Sequence, residues 1–213
     1  MEITWYGQAL FKLKGKNASV VIDPYESEFT GLKLPKDLTC DAVLVTHNHK
    51  DHNNLAAVPN EAIQIAGPGE YDVKGTAIIG TQTFHDDKKG EERGKNTVYT
   101  IQIDGLNVVH LGDLGHELSD EQVDEIGETD ILLIPVGGVY TIDAKVASEV
   151  VASLEPKIVI PMHYLLPGLK FELDGVEKFL KEMGAEGVSP LPKLIISRDK
   201  IPEEPQVIVL NKV

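Results

Sequence analysis

The stretch Ala42–His52 reads AVLVTHNHKDH, and it constrains the fold more than any other part of the chain. An apolar run, Ala42 to Val45, stops at Thr46, and His47, His49, Asp51 and His52 follow within six residues. The run has the length and composition of a buried strand, and the polar part reads as the loop at its end. Three imidazoles and a carboxylate on one short loop are costly to pack unless something compensates them. A divalent cation does so, because neutral imidazole nitrogen and carboxylate oxygen are good zinc ligands. His47 and His49 can point the same way from an extended segment, while Asp51 and His52 lie further round the turn. That spacing suits two adjacent metals better than one. The alternative is a solvated loop rich in histidine. A strand before it and further ligands elsewhere would separate the two.

Further candidates stand where other apolar runs end. Short strands are expected at Ile3 to Tyr6, Ala9 to Leu13 and Ser19 to Ile22, with turns at Gly7 and at 15–17; the third strand ends in Asp23-Pro24. Asp23 could cap the following turn, or it could brace the His loop by accepting an imidazole N–H. Residues 25–40 read as an irregular connection, and Asn54 to Val58 as a short helical piece. Strands follow at Ala62 to Ala66 and Thr76 to Phe84, and the latter delivers His85-Asp86. A hairpin through Asp104-Gly105 joins Thr97 to Ile103 with Leu106 to His110, which runs into Leu111-Gly112-Asp113. Ser119-x-x-Gln122 has the pattern of a capping box. Ile131 to Ile134 is a strand, and Asp143 can cap a helix with Ala147, Val150, Val151 and Leu154 on one stripe. Ile158 to Ile160 is a buried strand before Pro161-Met162-His163. Asp174-x-x-Glu177 reads as the start of a third helix closed by Gly184, and the tail supplies strands at Leu194 to Ile196 and Val207 to Leu210.

His47, His49, Asp51, His52, His85, Asp113 and His163 therefore each follow an apolar strand, and in α/β folds sites gather at strand ends. A lone histidine is more often packed or on the surface, but this ordered set is a joint signal. The order H-x-H-x-D-H, then His, then Gly-Asp, then a late His resembles the metallo-β-lactamase-fold hydrolase superfamily. The wording FHD, LGDLG, PVGG and PMHY looks most like its small branch that includes L-ascorbate-6-phosphate lactonase-like proteins. The resemblance implies an αββα four-layer sandwich, two mixed β-sheets packed face to face with helices outside, as one domain over 1–213. It implies two divalent metal ions, zinc suiting the donors best and manganese or iron accepting them. His47, His49 and His85 would hold one metal. Asp51, His52 and His163 would hold the other, with Asp113 bridging. Asp51 would also be catalytic, orienting a bridging hydroxide and protonating the leaving group. The third His lacks the H-x-x-G-H surroundings of many members, so Asp86 is a further candidate ligand.

The rest of the chain limits the chemistry. The net charge of −14, from 20 basic and 34 acidic side chains, disfavours nucleic acid and leaves a small molecule as the expected substrate, with an anionic one open. One cysteine, Cys40, permits no intrachain disulfide, and a reducing cytoplasm is the default. No apolar run spans a bilayer, and the alternating N-terminus reads as a strand rather than a signal peptide. The loop Asp87 to Lys95, DKKGEERGK, reads as mobile and solvated; the sharper alternative is a lid in which Lys88, Lys89, Arg93 and Lys95 anchor an anion. His110 is expected in the core or behind the site, and His116 at the surface of its loop, with a place facing substrate as the alternative. Tyr140 and Tyr164 follow site-forming segments, where packing and substrate contact are both open.

Overall fold

The strand before the His loop is β4, Ala42–Val45, and all of its residues are buried. Ala42 and Leu44 face the main core, and Val43 faces a second apolar cluster on the other side. A strand covered on both faces loses the polar–apolar alternation, which is why this run is continuously apolar. Its neighbours behave alike: in β3, Ser19–Ile22, Val20 and Ile22 face one cluster and Val21 the other.

A computed structural model describes residues 1–36, 38–59 and 61–213. Among the described residues the chain forms two mixed sheets. The first contains β1 (Glu2–Trp5), β2 (Phe11–Lys14), β3, β4, β5 (Ile63–Ala66) and β12 (Leu194–Ile195), in the order β12-β1-β2-β3-β4-β5. β3, β4 and β5 are parallel, and the rest pair antiparallel. The second contains β6 (Gly69–Val73), β7 (Thr76–Phe84), β8 (Lys95–Ile103), β9 (Leu106–His110), β10 (Ile131–Pro135), β11 (Ile158–Met162) and β13 (Gln206–Val207), in the order β13-β11-β10-β9-β8-β7-β6. Here β9, β10, β11 and β13 are parallel and the β6–β9 half is antiparallel. The main core between the sheets holds Trp5, Phe11, Leu13, Ile78, Tyr99, Val108 and Leu133, all nearly or wholly buried. Each such side chain contributes roughly 1.5–3 kcal/mol of transfer free energy.

The outer layers are unequal. α2 (Asp120–Ile126) and α3 (Ala144–Leu154) lie against the second sheet, with α4 (Val176–Glu182) packed on α3. The capping box on Ser119 is formed in full, and Asp143 caps α3 through the Val146 N–H. α3 buries the expected stripe of Ala147, Val150, Val151 and Leu154. The first sheet is covered instead by α1 (Ser27–Thr30), a 3-10 turn at Leu55–Ala57, and side chains such as Tyr25, Leu32 and Leu38. The span 25–40, read as irregular, thus contains one helical turn, which Gly31 ends at φ +82°.

Two sequence expectations miss locally. β6 was not anticipated, because Gly69–Val73 carries Gly, Glu and Asp on an exposed edge. α4 begins after Gly175 with no side-chain cap, so the expected Asp174 capping pattern is not used. Asp174 pairs with Lys178 at 2.7 Å, and its backbone bridges Gly137 and Leu165. β3, β4, β9, β10 and β11 deliver their C-terminal ends, with that of β7, to one edge of the sandwich, where Asp23, His47, Asp51, His52, His85, Asp113 and His163 are buried.

Candidate metal centre

The loop after β4 turns back on itself through His52 N–H and Asn53 N–H, which both donate to the His49 carbonyl. This folds His47, His49, Asp51 and His52 toward one space. β7 adds His85, the turn after β9 adds Asp113, and the turn after β11 adds His163. Two clusters result, His47/His49/His85 and Asp51/His52/Asp113/His163, each with its candidate ligand atoms within 4.8 Å of one another. All seven predicted site residues are therefore brought together. Asp113 Oδ2 lies between the clusters, 3.2 Å from Nε2 of His52, 3.2 Å from His85, 3.4 Å from His163 and 3.8 Å from His47. Asp51 Oδ2 stands 3.5 Å from His52 Nε2 and 3.6 Å from His163 Nε2. His49 is the solvent-facing member; the other six are buried.

The donors suit a cation. His47 Nε2, His52 Nε2 and Asp113 Oδ1 are buried and lack any hydrogen-bond partner. Buried polar atoms are rarely left so, and each costs about 1–3 kcal/mol when it is. Imidazole nitrogen and carboxylate oxygen together fit Zn2+, Mn2+ or Fe2+.

The surroundings set the histidine tautomers. Asp23 Oδ2 accepts from His52 Nδ1 at 2.8 Å and from the Thr46 hydroxyl at 2.7 Å, while Oδ1 accepts the Thr46 N–H at 2.8 Å. The Thr46 hydroxyl, its proton given to Asp23, accepts from His47 Nδ1 at 3.0 Å. Both rings thus turn Nε2 toward Asp113, the orientation that carboxylate-backed metal histidines need. Of the two roles open to Asp23, it takes that of bracing the loop. Burial, with the neighbouring His52, holds His47 well below the ordinary imidazole range, so it is neutral. Burial pushes His52 the same way, but the charges of Asp113, Asp51 and Asp23 outweigh it and hold its pKa well above the ordinary value. Burial works against ionised Asp113, yet His163 and His52 keep its carboxyl well below the usual range.

The backbone is constrained at the same points. Gln8, Asp23 and His163 all have left-handed φ, +50°, +52° and +51°, at a cost of about 1–2 kcal/mol each. Gly137 lets β10 approach: a Cβ there would lie 2.1 Å from the His163 carbonyl oxygen. Gly112, at φ +56°, likewise leaves room for Asn96, whose Oδ1 receives the Asp113 N–H at 3.1 Å. Asn96 and Gln8 were missed by sequence reasoning. Gln8 is fully buried, with Nε2 3.2 Å from His163 Nε2 and its carbonyl accepting the His163 N–H. The only sequence signal for either was proximity to a turn or a strand end.

Asp86 does not join the donors, because both its oxygens are already committed. Oδ1 accepts the N–H groups of Lys88 and Gly90, and Oδ2 those of Glu92 and Arg93, at 2.7–3.0 Å. Burial opposes its ionisation, but these four donors hold its pKa down to about 2. The 87–95 loop, expected to be mobile, is thereby wrapped round one carboxylate. His110 is fully buried; Nε2 donates to the Ala9 carbonyl at 2.8 Å and Nδ1 accepts from Gly112 N–H at 3.1 Å, a core role. His116 is half-buried, accepts the Phe84 N–H and lines a cavity that holds none of the seven candidate ligands. Tyr164 packs on Trp5 with ring centroids 5.1 Å apart. Tyr140 instead lines a cavity of about 440 Å³ that reaches Asp51, His85, Asp113 and His163.

A family model described as the beta-lactamase superfamily domain matches residues 2–163. A UPF0173 metal-dependent hydrolase of Thermoplasma acidophilum is 32% identical over 188 residues, covering 77% of this chain and 83% of its own. Another of that name, from Methanopyrus kandleri, is 27% identical and covers 87% and 94%. A crystal structure from Thermotoga maritima, described as a candidate zinc-dependent hydrolase of the metallo-beta-lactamase superfamily, superposes with a TM-score of 0.80 at 37% identity, over 99% and 98% of the two chains. With that family model covering residues 2–163, most of its length, the chain belongs to the beta-lactamase superfamily.

Proposed function

We propose that this metal-dependent hydrolase works through a dinuclear centre, with His47, His49 and His85 on one ion, Asp51, His52 and His163 on the other, and Asp113 between. The observation that carries the reading is the place of Asp113 Oδ2, within 3.2–3.8 Å of four imidazole nitrogens from both clusters. Two divalent ions at such a site lower the pKa of water toward roughly 7 and polarise the bond under attack. Zinc suits the donors best. Asp23 and Thr46 hold His52 and His47 in one tautomer. Asp51, which lines the cavity beside the second cluster, would be the catalytic residue: it would orient the attacking water, take up the proton that water loses and pass that proton to the leaving group.

The substrate is a small molecule bearing an ester, lactone, thioester or phosphodiester. A cavity of about 440 Å³ supports a small ligand, and a charge of −14 counts against nucleic acid. No helix of the described residues is long and apolar enough to cross a membrane, and the lone Cys40 supports a reducing cytoplasm as the compartment.

Metal per chain, read by elemental mass spectrometry on protein purified without chelator, tests the reading together with turnover of phosphodiester, lactone and thioester substrates. Two zinc or manganese ions and activity on one class are expected. Asp113→Ala should lose at least one ion and lower turnover by at least about a thousandfold. Two irons with no hydrolysis would point to a redox protein, and a variant retaining both metals and full activity would remove Asp113 from the centre.

A further inference from the structure

The entrance to the metal cavity has a chemistry of its own. Four cations of the 87–95 loop were candidates for anchoring an anion, and the structure separates them. Lys88 is tied to Glu92, Lys89 lines a different cavity, and Lys95 lines the neighbouring cavity beside His47 and His49 rather than the one that reaches Asp51, Asp113 and His163. Arg93 does reach it, and so does Lys50 from the His loop itself. Neither makes an ion pair among the described residues, in a chain with an excess of acidic side chains.

Arg93 is held on two sides. Its backbone N–H donates to Asp86 Oδ2 at 2.7 Å, and its guanidinium lies 4.8 Å from the centre of the Tyr140 ring. A guanidinium stacked on an aromatic ring keeps its edge N–H groups free, and that planar fork matches a carboxylate or phosphate. The same rings extend into an apolar wall: Tyr140 meets Phe171 at 6.1 Å, and Phe171 meets Phe29 at 5.8 Å, with Phe29 44% exposed at the cavity rim. The three rings together give that side of the cavity mouth a continuous apolar face.

We infer that the cavity selects small substrates with an anionic group and a flat apolar group on the part that does not react. The anion goes to Arg93 and Lys50, and the apolar group to Phe29, Phe171 and Tyr140. This deepens the hydrolase reading above and rests on it for the reacting end. Arg93 is then a specificity-determining residue, and Asp86, which touches no substrate, is the residue that positions it.

The test is a binding measurement, so it does not depend on knowing the scissile bond. The zinc-loaded protein is titrated calorimetrically with phenylsuccinate, 3-phenylpropanoate and succinate. Each ligand has one carboxylate for the metals; only phenylsuccinate adds both a second anion and a ring. Phenylsuccinate should bind about tenfold tighter than either of the others. Arg93→Gln should reduce it to the level of 3-phenylpropanoate, leaving that ligand and the zinc content unchanged. Phe171→Ala should reduce it to the level of succinate. Equal binding of phenylsuccinate and 3-phenylpropanoate by the unaltered protein, or an undiminished preference in Arg93→Gln, would overturn the inference. Turnover without this preference would remove only the selectivity, whereas the preference without any turnover would remove only the hydrolase reading.

Discussion

Asp113 and Asp23 are both buried carboxylates, yet they do different work. Asp113 leaves Oδ1 without a partner, whereas both oxygens of Asp23 are occupied by Thr46 and His52. The first is free to meet a cation; the second can only orient what does. Asp23→Ala would release the His52 ring and leave Thr46 without its acceptor. Metal affinity should fall about 10–100-fold, as it does when such backing carboxylates are lost. Competition with a chromophoric chelator measures this, and an unchanged affinity would show that the ring is held without Asp23. At this scale the sequence was informative because the seven histidine and aspartate candidates are chemically conspicuous at strand ends. Gln8 and Asn96 were not legible, since an amide near a turn looks the same whether it is solvated or, as here, buried with its partner far off in sequence.

At the scale of elements, periodicity exposed what burial patterns the chain. β4, β7 and β9 have the expected boundaries because they are strongly apolar or alternate cleanly. β6 escaped because an edge strand needs no apolar face, and the α4 pattern misled because the Asp174 backbone was already engaged by Gly137 and Leu165. The 87–95 loop is as exposed as its composition signals, but what holds it was not legible for a related reason. Its composition, rich in charge and glycine, signals solvation, but the carboxylate that organises it precedes the charged run. Asp86→Ala removes the acceptor for four backbone N–H groups at once. Tryptic cleavage at Lys88, Lys89 or Arg93 should then rise on the order of tenfold, since a segment with few buried contacts opens locally. Because the sheets do not depend on this loop, the melting temperature should change little. Cleavage at the original rate would mean that the loop is held by something other than Asp86.

Across the whole molecule, the two sheets meet at an edge where polar side chains displace the apolar core. Trp5, Phe11 and Tyr99 stabilise the sandwich irrespective of metal, but the edge brings Asp51, Asp113 and five histidines, all but His49 buried, to the floor of one cavity. That edge leaves the buried His47 Nε2, His52 Nε2 and Asp113 Oδ1 without hydrogen-bond partners. Metal binding therefore has to contribute to the stability of the folded state, because the unfolded chain offers no assembled site. For an ion at 100 to 1,000 times its dissociation constant the linkage amounts to about 3–4 kcal/mol. At about 2–4 °C per kcal/mol for a chain of this size, removing two such ions with chelator should lower the melting temperature by roughly 10–30 °C, and adding zinc should restore it. Asp113→Ala should shrink that difference, since the side chain shared by both clusters is gone. Scanning calorimetry of the native, chelated and zinc-restored protein decides the matter. Equal melting temperatures for the three would mean that the edge is stable as it stands, with its buried histidines and carboxylates satisfying one another.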